Sequence, residues 1–343
     1  MEMEIDIEDF DCLRQYLLGR GHIKPDETIS LKRLLGGVSN RTVRVGWSDG
    51  RGWVLKQALA KLRVDVDWFS DPERIGVEAK ATRWLNVLAP KDTTPLFVFE
   101  DMPNHLMAME AIPEESESWK SVLLSGRIVS NHFEQFGRLL GTIHRRSSEA
   151  DSEISTVFGD TTYFKSLRLE PYYLYAAEKA PAAAGFLNAL VEETIHHRDS
   201  LVHGDFSPKN TLIYRGKLIL LDYEVVHFGD PGFDVGFALT HFLSKANHLR
   251  SEGSRIGAAA ALFWSVYRGE IDSLEWVSPL EPRAVRHTLA CLLARVIGKS
   301  PLEYLTPQEA ARQQEVVLQL IANPPSGVND LIAEFIRKIE TYA

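Results

Sequence analysis

The most informative stretch of the chain is HGDFSPKN at residues 203–210, which is followed by DYE at residues 222–224. Two short β-rich pieces, residues 211–214 and 218–221, lie between these polar stretches. Because only a short turn containing Gly216 separates the β-rich pieces, they predict a β-hairpin. The hairpin is expected to bring the polar residues at its two ends close together.

The polar residues at the ends of this hairpin predict a magnesium site. With the hairpin centred on Gly216, Asn210 stands opposite Asp222, at a cross-strand Cβ separation of about 5 Å. An amide and a carboxylate oxygen at that distance can share one hard cation that also binds the phosphate oxygens of a nucleotide. Asp205 lies in the loop that enters the hairpin, so it is placed to orient an attacking hydroxyl group and to accept its proton.

The rest of the chain divides into a β-rich first part and a helical second part. A helix over residues 6–19 opens the chain, and a second helix with Pro72 in its first turn runs to Leu88. The predicted strands of the first part are residues 29–35, 42–47, 52–57, 96–100 and 105–109. The predicted helices of the second part are residues 133–146, 182–197, 233–246, 254–267, 283–297, 307–322 and 327–342.

The spacing of the polar residues resembles that of a kinase catalytic loop and metal-binding segment, His-x-Asp-x-x-x-x-Asn followed by an Asp after a short hairpin. The triplet at residues 203–205 and the Asp-x-Glu at residues 222–224 resemble the aminoglycoside phosphotransferase and choline kinase-like family, as does GDPGFDVG at residues 229–236. Part of the pattern is also similar to methylthioribose kinase. The resemblance covers nearly the whole chain.

This resemblance implies an α+β, two-lobed, protein-kinase-like fold. A small antiparallel-sheet N-lobe with a leading helix, residues 1–110, would bind ATP. A large, mainly helical C-lobe, residues 111–343, would carry the catalytic loop and the substrate pocket.

The resemblance also implies an ATP site in the first part of the chain. The glycine-rich tip at residues 36–40 would offer backbone N–H groups and a Ser hydroxyl to the phosphates. Lys56 would hold the α- and β-phosphates and pair with Glu78, although Glu73 is an alternative partner. Backbone groups near residues 109–112 would bind adenine. The predicted nucleotide-binding residues are Gly36, Gly37, Val38, Ser39, Asn40, Lys56, Glu78, Glu110 and Ile112.

In the catalytic segment, Asp205 is predicted to be the catalytic residue and Asn210 and Asp222 the magnesium ligands. Glu224 is a further candidate for the metal shell, with a solvent-facing carboxylate as the alternative. His203 and Asp234 are interpreted as structural residues that hold the catalytic loop. The implied reaction is transfer of the ATP γ-phosphoryl group to a hydroxyl of a small molecule.

The acceptor is not determined by the sequence, and an amino alcohol, a sugar or thiosugar, or an aminoglycoside-like molecule all fit the family. If Arg295 or Lys299 faces the cleft, an anionic or heavily hydroxylated acceptor is favoured; both could instead be ordinary cations at a helix end. A protein kinase is a rival interpretation, but the chain lacks a recognisable activation segment ending in Ala-Pro-Glu. A catalytically silent nucleotide-binding scaffold of the same fold is a second rival.

Composition restricts the partners. The formal net charge of −9 and the absence of a long basic run argue against nucleic acid as the main partner. Cys12 and Cys291 are the only cysteines, which favours the cytoplasm over an oxidising compartment. The amino terminus lacks the layout of a secretory signal and no apolar run is long enough to span a membrane. The oligomeric state is left open.

Overall fold

A computed structural model describes residues 5–34, 39–63 and 67–342. The chain divides into two units. The first unit consists of residues 1–87 and 94–116, and the second of residues 88–93 and 117–343. No helix in the described ranges is long and apolar enough to cross a membrane.

The first unit is built on a five-stranded antiparallel sheet with the strand order β1-β2-β3-β5-β4. Helix α1 begins after Asp9, whose carboxylate accepts a hydrogen bond from the N–H of Cys12, as expected for an N-cap. Alternate residues of the central strands, such as Val43 and Val45, are buried with Leu13 of α1. The elements of this unit are α1 Phe10–Gly19, β1 Ile29–Arg33, β2 Asn40–Trp47, β3 Gly52–Ala58, α2 Arg74–Leu88, β4 Phe97–Asp101 and β5 Leu106–Glu110.

The second unit is mainly helical, with two small sheets of order β6-β8-β9 and β10-β7. Its strands are β6 Glu117–Ser118, β7 Ser200–Val202, β8 Thr211–Tyr214, β9 Lys217–Leu220 and β10 His227–Gly229. Its α-helices are α3 Trp119–Leu124, α4 Ser130–Glu149, α5 Asp151–Val157, α6 Thr162–Phe164, α7 Tyr175–Lys179, α8 Pro181–His196, α9 Pro231–His248, α10 Gly253–Ile271, α11 Leu280–Ile297, α12 Pro307–Ala322 and α13 Val328–Thr341. The α+β class predicted from the sequence is confirmed.

A π-helical segment, Lys165–Leu174, was not anticipated from the sequence. It contains Pro171, which has no N–H to donate to the preceding turn and whose ring excludes the ordinary α-helical hydrogen bond there. Wider helical turns accommodate such an interruption, and they are frequent at functional sites.

The predicted pairing of the hairpin is wrong by one residue. Tyr214 pairs with Lys217, and the two turn residues, Arg215 and Gly216, have φ values of 49° and 75°. A two-residue turn with both φ values positive matches the twist of the flanking strands, so it replaces the symmetric turn centred on Gly216. In consequence the N–H of Leu221, and not Asp222, lies opposite Asn210 and donates to its carbonyl at 2.9 Å.

Candidate active site

Asp234, in the first turn of α9, holds the loop that carries Asp205. One carboxylate oxygen of Asp234 accepts from the N–H of His203 at 2.6 Å, and the other accepts from the N–H of Gly204 at 2.8 Å. Burial raises the pKa of Asp234, but His144, whose Nε2 lies 3.3 Å from the carboxylate, and the ring and N–H of His203 lower it by more. The net shift of this pKa is downward. The prediction that Asp234 braces the loop is confirmed.

His203 ties the loop to the segment that precedes Asp222. Its Nδ1 accepts from the N–H of Asp205 at 3.1 Å, so the ring proton belongs on Nε2, which donates to the carbonyl of Leu221 at 3.1 Å. Burial lowers the pKa of His203. A neutral imidazole with both nitrogens engaged in the backbone is structural, as the sequence predicted.

Gly204 is required by the shape of the loop. Its φ is +77°, and a Cβ atom at this position would lie 2.7 Å from Cγ2 of Val225. A side chain here would be strained by the backbone and by the contact. The His-Gly-Asp sequence therefore follows from the turn that presents Asp205.

The carboxylate of Asp205 is paired with Arg168 of the π-helical segment. The Arg168 Nη2 lies 3.0 Å from Oδ2 of Asp205, and its Nε donates to the carbonyl of Gly204 at 2.7 Å. Burial lowers the pKa of Arg168, but Asp205 and other nearby anionic groups raise it more, so the net shift is upward. Arg168 was not found from the sequence, since no spacing relates it to the loop.

The candidate carboxylate ligands act electrostatically on the same guanidinium. Asp205, Glu224 and Asp222 each raise the pKa of Arg168 by Coulomb attraction, so the three carboxylates share one neighbourhood. Asn210 donates through Nδ2 to the carbonyl of Asp205 at 3.0 Å, which orients the amide and leaves its oxygen as an acceptor. Asp222 has a φ of 72°, a conformation that Asp tolerates better than most side chains.

The oxygen atoms of these side chains suit a magnesium ion that is also bound by phosphate. Among residues 5–34, 39–63 and 67–342, no three His, Cys, Asp or Glu side chains form a metal site by themselves. One amide oxygen with one or two carboxylates is the small protein ligand set that magnesium takes when a nucleotide supplies further oxygens. Asn210, Asp222 and Glu224 fit that description.

The first unit contains the candidate phosphate-binding residues. Lys56 on β3 forms an ion pair with Glu78 on α2, in which Nζ lies 2.5 Å from Oε1. Both side chains are buried. Glu73 precedes the first residue of α2, so Glu78 is the partner of Lys56. Of the predicted glycine-rich tip, Gly36, Gly37 and Val38 lie outside the described residues, whereas Ser39 and Asn40 are buried.

Arg74 supports the second half of that tip and was not found from the sequence. Its fully buried guanidinium donates to the carbonyl of Ser39, and also to those of Ser70 and Asp71. The position of Ser39 is therefore coupled to the first turn of α2.

The predicted adenine-binding segment follows β5. The N–H of Ala111 donates to Gly52 at 2.8 Å, which continues the sheet, and Arg44 donates to the carbonyl of Ile112 at 2.6 Å. Glu110 is the last residue of β5. The N–H of Ile112 has no partner among the described residues and remains available as a donor.

Arg295 and Lys299 differ in their surroundings. Arg295 is buried, with its guanidinium 5.6 Å from the ring centre of Tyr172, and the guanidinium of Arg168 lies 5.8 Å from the same ring centre. Lys299 instead lies over Tyr175. Arg295 is thus one aromatic ring away from the cation that pairs with Asp205.

A braced Asp-bearing loop beside a short hairpin, on an α+β scaffold, is the arrangement that the sequence motifs led us to expect of a phosphotransferase family member. Residues 30–274 match the sequence profile of the phosphotransferase enzyme family, and the chain belongs to that family. Among solved structures it resembles an amicoumacin kinase bound to AMP-PNP and Ca²⁺, with a TM-score of 0.60 and 15% identity over 96% of this chain and 99% of the other. It also resembles choline kinase from Cryptosporidium parvum, with a TM-score of 0.57 and 14% identity over 95% and 100% of the two chains. These likenesses confirm the kinase-like fold.

The similar characterised sequences are small-molecule kinases. Methylthioribose kinase of Citrobacter koseri is 25% identical over 60% of this chain and 58% of its own length. The 4-hydroxytryptamine kinase of Psilocybe cyanescens is 23% identical over 69% of this chain and 73% of its own. The chain spans less than two thirds of the length of the methylthioribose kinases that it matches, 58% and 65%.

Proposed function

We propose that the protein is an ATP- and magnesium-dependent kinase that transfers the γ-phosphoryl group to a hydroxyl of a small molecule. The observation that carries the proposal is the ion pair of Asp205 with the buried Arg168, on a loop held by Asp234. Asp222 and Glu224, which follow the hairpin, act on the same arginine by Coulomb attraction. The family relationship supports it, because the similar sequences are named as kinases of small molecules. In this proposal residues 1–110 bind ATP, and residues 111–343 carry the catalytic loop and the acceptor site.

In the proposed reaction, Asp205 orients the acceptor hydroxyl and accepts its proton. The hydroxyl oxygen forms a bond to the γ-phosphorus while the bond from that phosphorus to the bridging oxygen breaks, and ADP leaves. Magnesium bound at Asn210 and Asp222 would neutralise phosphate charge. Lys56, fixed by Glu78, supplies a cation for the α- and β-phosphates, and the N–H of Ile112 supplies a donor for adenine.

A protein substrate is disfavoured by the sequence itself, which lacks the Ala-Pro-Glu that ends an activation segment. A silent scaffold is disfavoured because every predicted catalytic position carries a competent side chain. Neither the described contacts nor the relatives supply an observation in favour of these rivals.

The test is a coupled assay of ADP formation with magnesium and a panel of amino alcohols, sugars, thiosugars, hydroxy acids and aminoglycosides. Asp205→Asn is expected to lower kcat by about 10²- to 10⁴-fold, the usual contribution of a positioned general base, without changing the affinity for ATP. Asp272→Asn, at an exposed position after α10, is the matched control. Acceptor-dependent turnover that survives Asp205→Asn would contradict the assignment of the base, and ATP binding without turnover on any acceptor would favour the scaffold.

A further inference from the structure

A group of cationic and basic side chains is buried between helices α9 and α11. It consists of His241, Lys245 and Arg295, called here the cationic cluster, whose exposed fractions are 3%, 1% and 7%. His241 and Lys245 are four residues apart on α9, so they lie on the same face of that helix. Lysine and arginine are almost never this buried without an anionic partner.

The hydrogen bonds of the cluster leave polar atoms unused. Nζ of Lys245 donates to the carbonyl of His241 at 3.2 Å and lies over the ring of Tyr304. Arg295 donates through Nη1 to the hydroxyls of Tyr172 and Ser300. Nε2 of His241 and Nε of Arg295 have no hydrogen-bond partner within the described part of the chain. No carboxylate there bonds to any of the three side chains.

The electrostatic surroundings of the cluster are positive. Burial lowers the pKa of His241, and the charged groups that lower it further are Lys245, Arg295, Lys209 and Lys120. Burial and Lys120 also lower the pKa of Lys245, to about 7, although Glu303 acts in the opposite direction.

The carboxylate of Glu303 does not compensate this charge. It is paired with Lys120, and 65% of its side chain is exposed. Burial without a compensating anion disfavours the protonated forms of His241 and Lys245, and a ligand that brings negative charge would favour them.

The cluster lies beside the catalytic loop. The guanidinium groups of Arg295 and Arg168 lie 5.6 and 5.8 Å from the ring centre of Tyr172. Arg168 in turn contacts the Asp205 carboxylate. Lys209, which acts on His241, belongs to the same loop as Asp205. An anion held at the cluster would therefore sit close to the group that orients the acceptor hydroxyl.

We propose that the cationic cluster binds a carboxylate or phosphate group of the acceptor, so that the acceptor is a small hydroxylated anion. This inference rests on the proposed function, because it names the substrate class of the same site. The donors that remain, at His241, Lys245 and Arg295, match the acceptor-only oxygens of a carboxylate or a phosphate ester. A neutral or cationic acceptor would offer these groups no negative charge.

The test compares acceptors that differ in charge, with glycerate and glycerol 3-phosphate as anions, glycerol as the neutral analogue and ethanolamine as the cation. Lys245→Met removes the charge but keeps an unbranched side chain, and Lys338→Met on α13 is the control. We expect wild-type protein to prefer one or both anions. We expect Lys245→Met to raise KM for the preferred anion ten- to hundredfold, with less than a twofold change in KM for ATP. A preference for glycerate would indicate a carboxylate as the anionic group, and a preference for glycerol 3-phosphate would indicate a phosphate.

Two kinetic outcomes would overturn this inference while leaving the proposed kinase intact. One is Asp205-dependent turnover that is fastest with glycerol or ethanolamine and unaffected by Lys245→Met. The other is a loss of affinity for ATP in Lys245→Met that is as large as its loss of affinity for the acceptor, which would assign the cluster to the nucleotide. If Lys245→Met does not fold, Lys245→Gln removes the same charge and gives the same comparison.

Binding of glycerate and inorganic phosphate to Asp205→Asn, measured by calorimetry, tests the cluster without turnover. Binding weakened at least tenfold by adding Lys245→Met would support the anion site even if no acceptor is phosphorylated. The absence of binding, or binding indifferent to Lys245→Met, would overturn it.

Discussion

The guanidinium of Arg168 lies 3.0 Å from the carboxylate of Asp205 and donates, through Nε, to the carbonyl of Gly204. The orientation of the proposed catalytic base is thus set by a helix outside the catalytic loop. Both side chains are largely buried, with 7% and 13% exposed, so solvent weakens the attraction less than at the surface. Arg168 acts through Asp205 and is a positioning residue.

Replacing Arg168 is expected to reduce turnover while leaving ATP binding unchanged. Arg168→Gln removes the ion pair, and small misplacements of a catalytic group cost about 10²-fold. Arg168→Lys retains the charge but cannot also bond to Gly204 in the same geometry, so it should recover part of kcat. Steady-state kinetics check this, with Arg337→Gln on the exposed face of α13 as the control; a change confined to KM for ATP would contradict it.

The buried pair of Lys56 and Glu78 is expected to matter for both stability and nucleotide binding. Glu78→Gln leaves the Lys56 cation buried without its carboxylate, which should lower the free energy of unfolding by about 3 kcal/mol and raise KM for ATP. The exposed pair Arg145–Glu149, at 3.1 Å, supplies the control, because Glu149→Gln should cost less than about 0.5 kcal/mol. Urea denaturation measures the free energy of unfolding of both variants. Equal losses in Glu78→Gln and Glu149→Gln would show that the buried Lys56 cation does not need the Glu78 carboxylate for stability.

Two glycines with similar backbone angles are expected to respond differently to alanine. Gly204 and Gly216 have φ values of 77° and 75°, but only at Gly204 would a Cβ meet other atoms within 4 Å. Gly216→Ala should therefore cost about 1 kcal/mol from backbone strain alone. Gly204→Ala should cost more and should also lower kcat, because the loop carrying Asp205 must shift. Thermal denaturation and activity check this; an unchanged kcat in Gly204→Ala would argue against the role of the turn.

The magnesium requirement is expected to depend on Asp222. Asp222→Asn removes one negative charge, and asparagine tolerates the φ of 72° found there, so the variant changes the ligand more than the backbone. The magnesium concentration for half-maximal activity should rise about tenfold or more, since carboxylates are the stronger ligands. Asp92→Asn, at an exposed residue with a φ of 64°, is the matched control. An identical magnesium dependence in both variants would remove Asp222 from the metal site.

Acid is expected to destabilise the fold through His227. Burial lowers the pKa of His227 to about 4, below the roughly 6.5 of an exposed histidine. Between these values the unfolded chain binds the proton and the folded chain does not, so stability falls as the pH decreases from about 6.5 to about 4, by about 3 kcal/mol for this one group.

The contribution of His227 can be isolated with His227→Asn. The imidazole Nδ1 lies 3.0 Å from the carbonyl of Val225, and the asparagine amide can donate in its place. Denaturation midpoints measured between pH 7.5 and 4.5 should depend less on pH in this variant than in wild type. Parallel curves for the two proteins would mean that other groups carry the acid sensitivity.

Much of the site was predictable because its residues are close in the sequence. His203, Asp205, Asn210 and Asp222 lie on one loop and hairpin, so local spacing was enough to bring them together. The pairing of the hairpin was misjudged by one residue, because the turn type depends on positive φ values that Arg215 and Gly216 adopt with little sequence signal. Arg168 was missed because its partner Asp205 is distant along the chain and the π-helical geometry that presents it has no periodic pattern.

The sequence by itself determined most element types and the candidate catalytic segment, since these follow from periodicity, turn residues and short-range spacing. The family was indicated by the resemblance of its short motifs. Only the tertiary structure decided which cations approach Asp205 and which are buried together. His241 is an ordinary helix residue when the sequence is considered alone, and Arg295 is an ordinary helix-end cation. Their burial beside Lys245, with no carboxylate bonded to them among the residues that the structure describes, arises from packing α9 against α11 and the π-helical segment. Charge balance is a property of such long-range packing, because it depends on distances that no local pattern encodes.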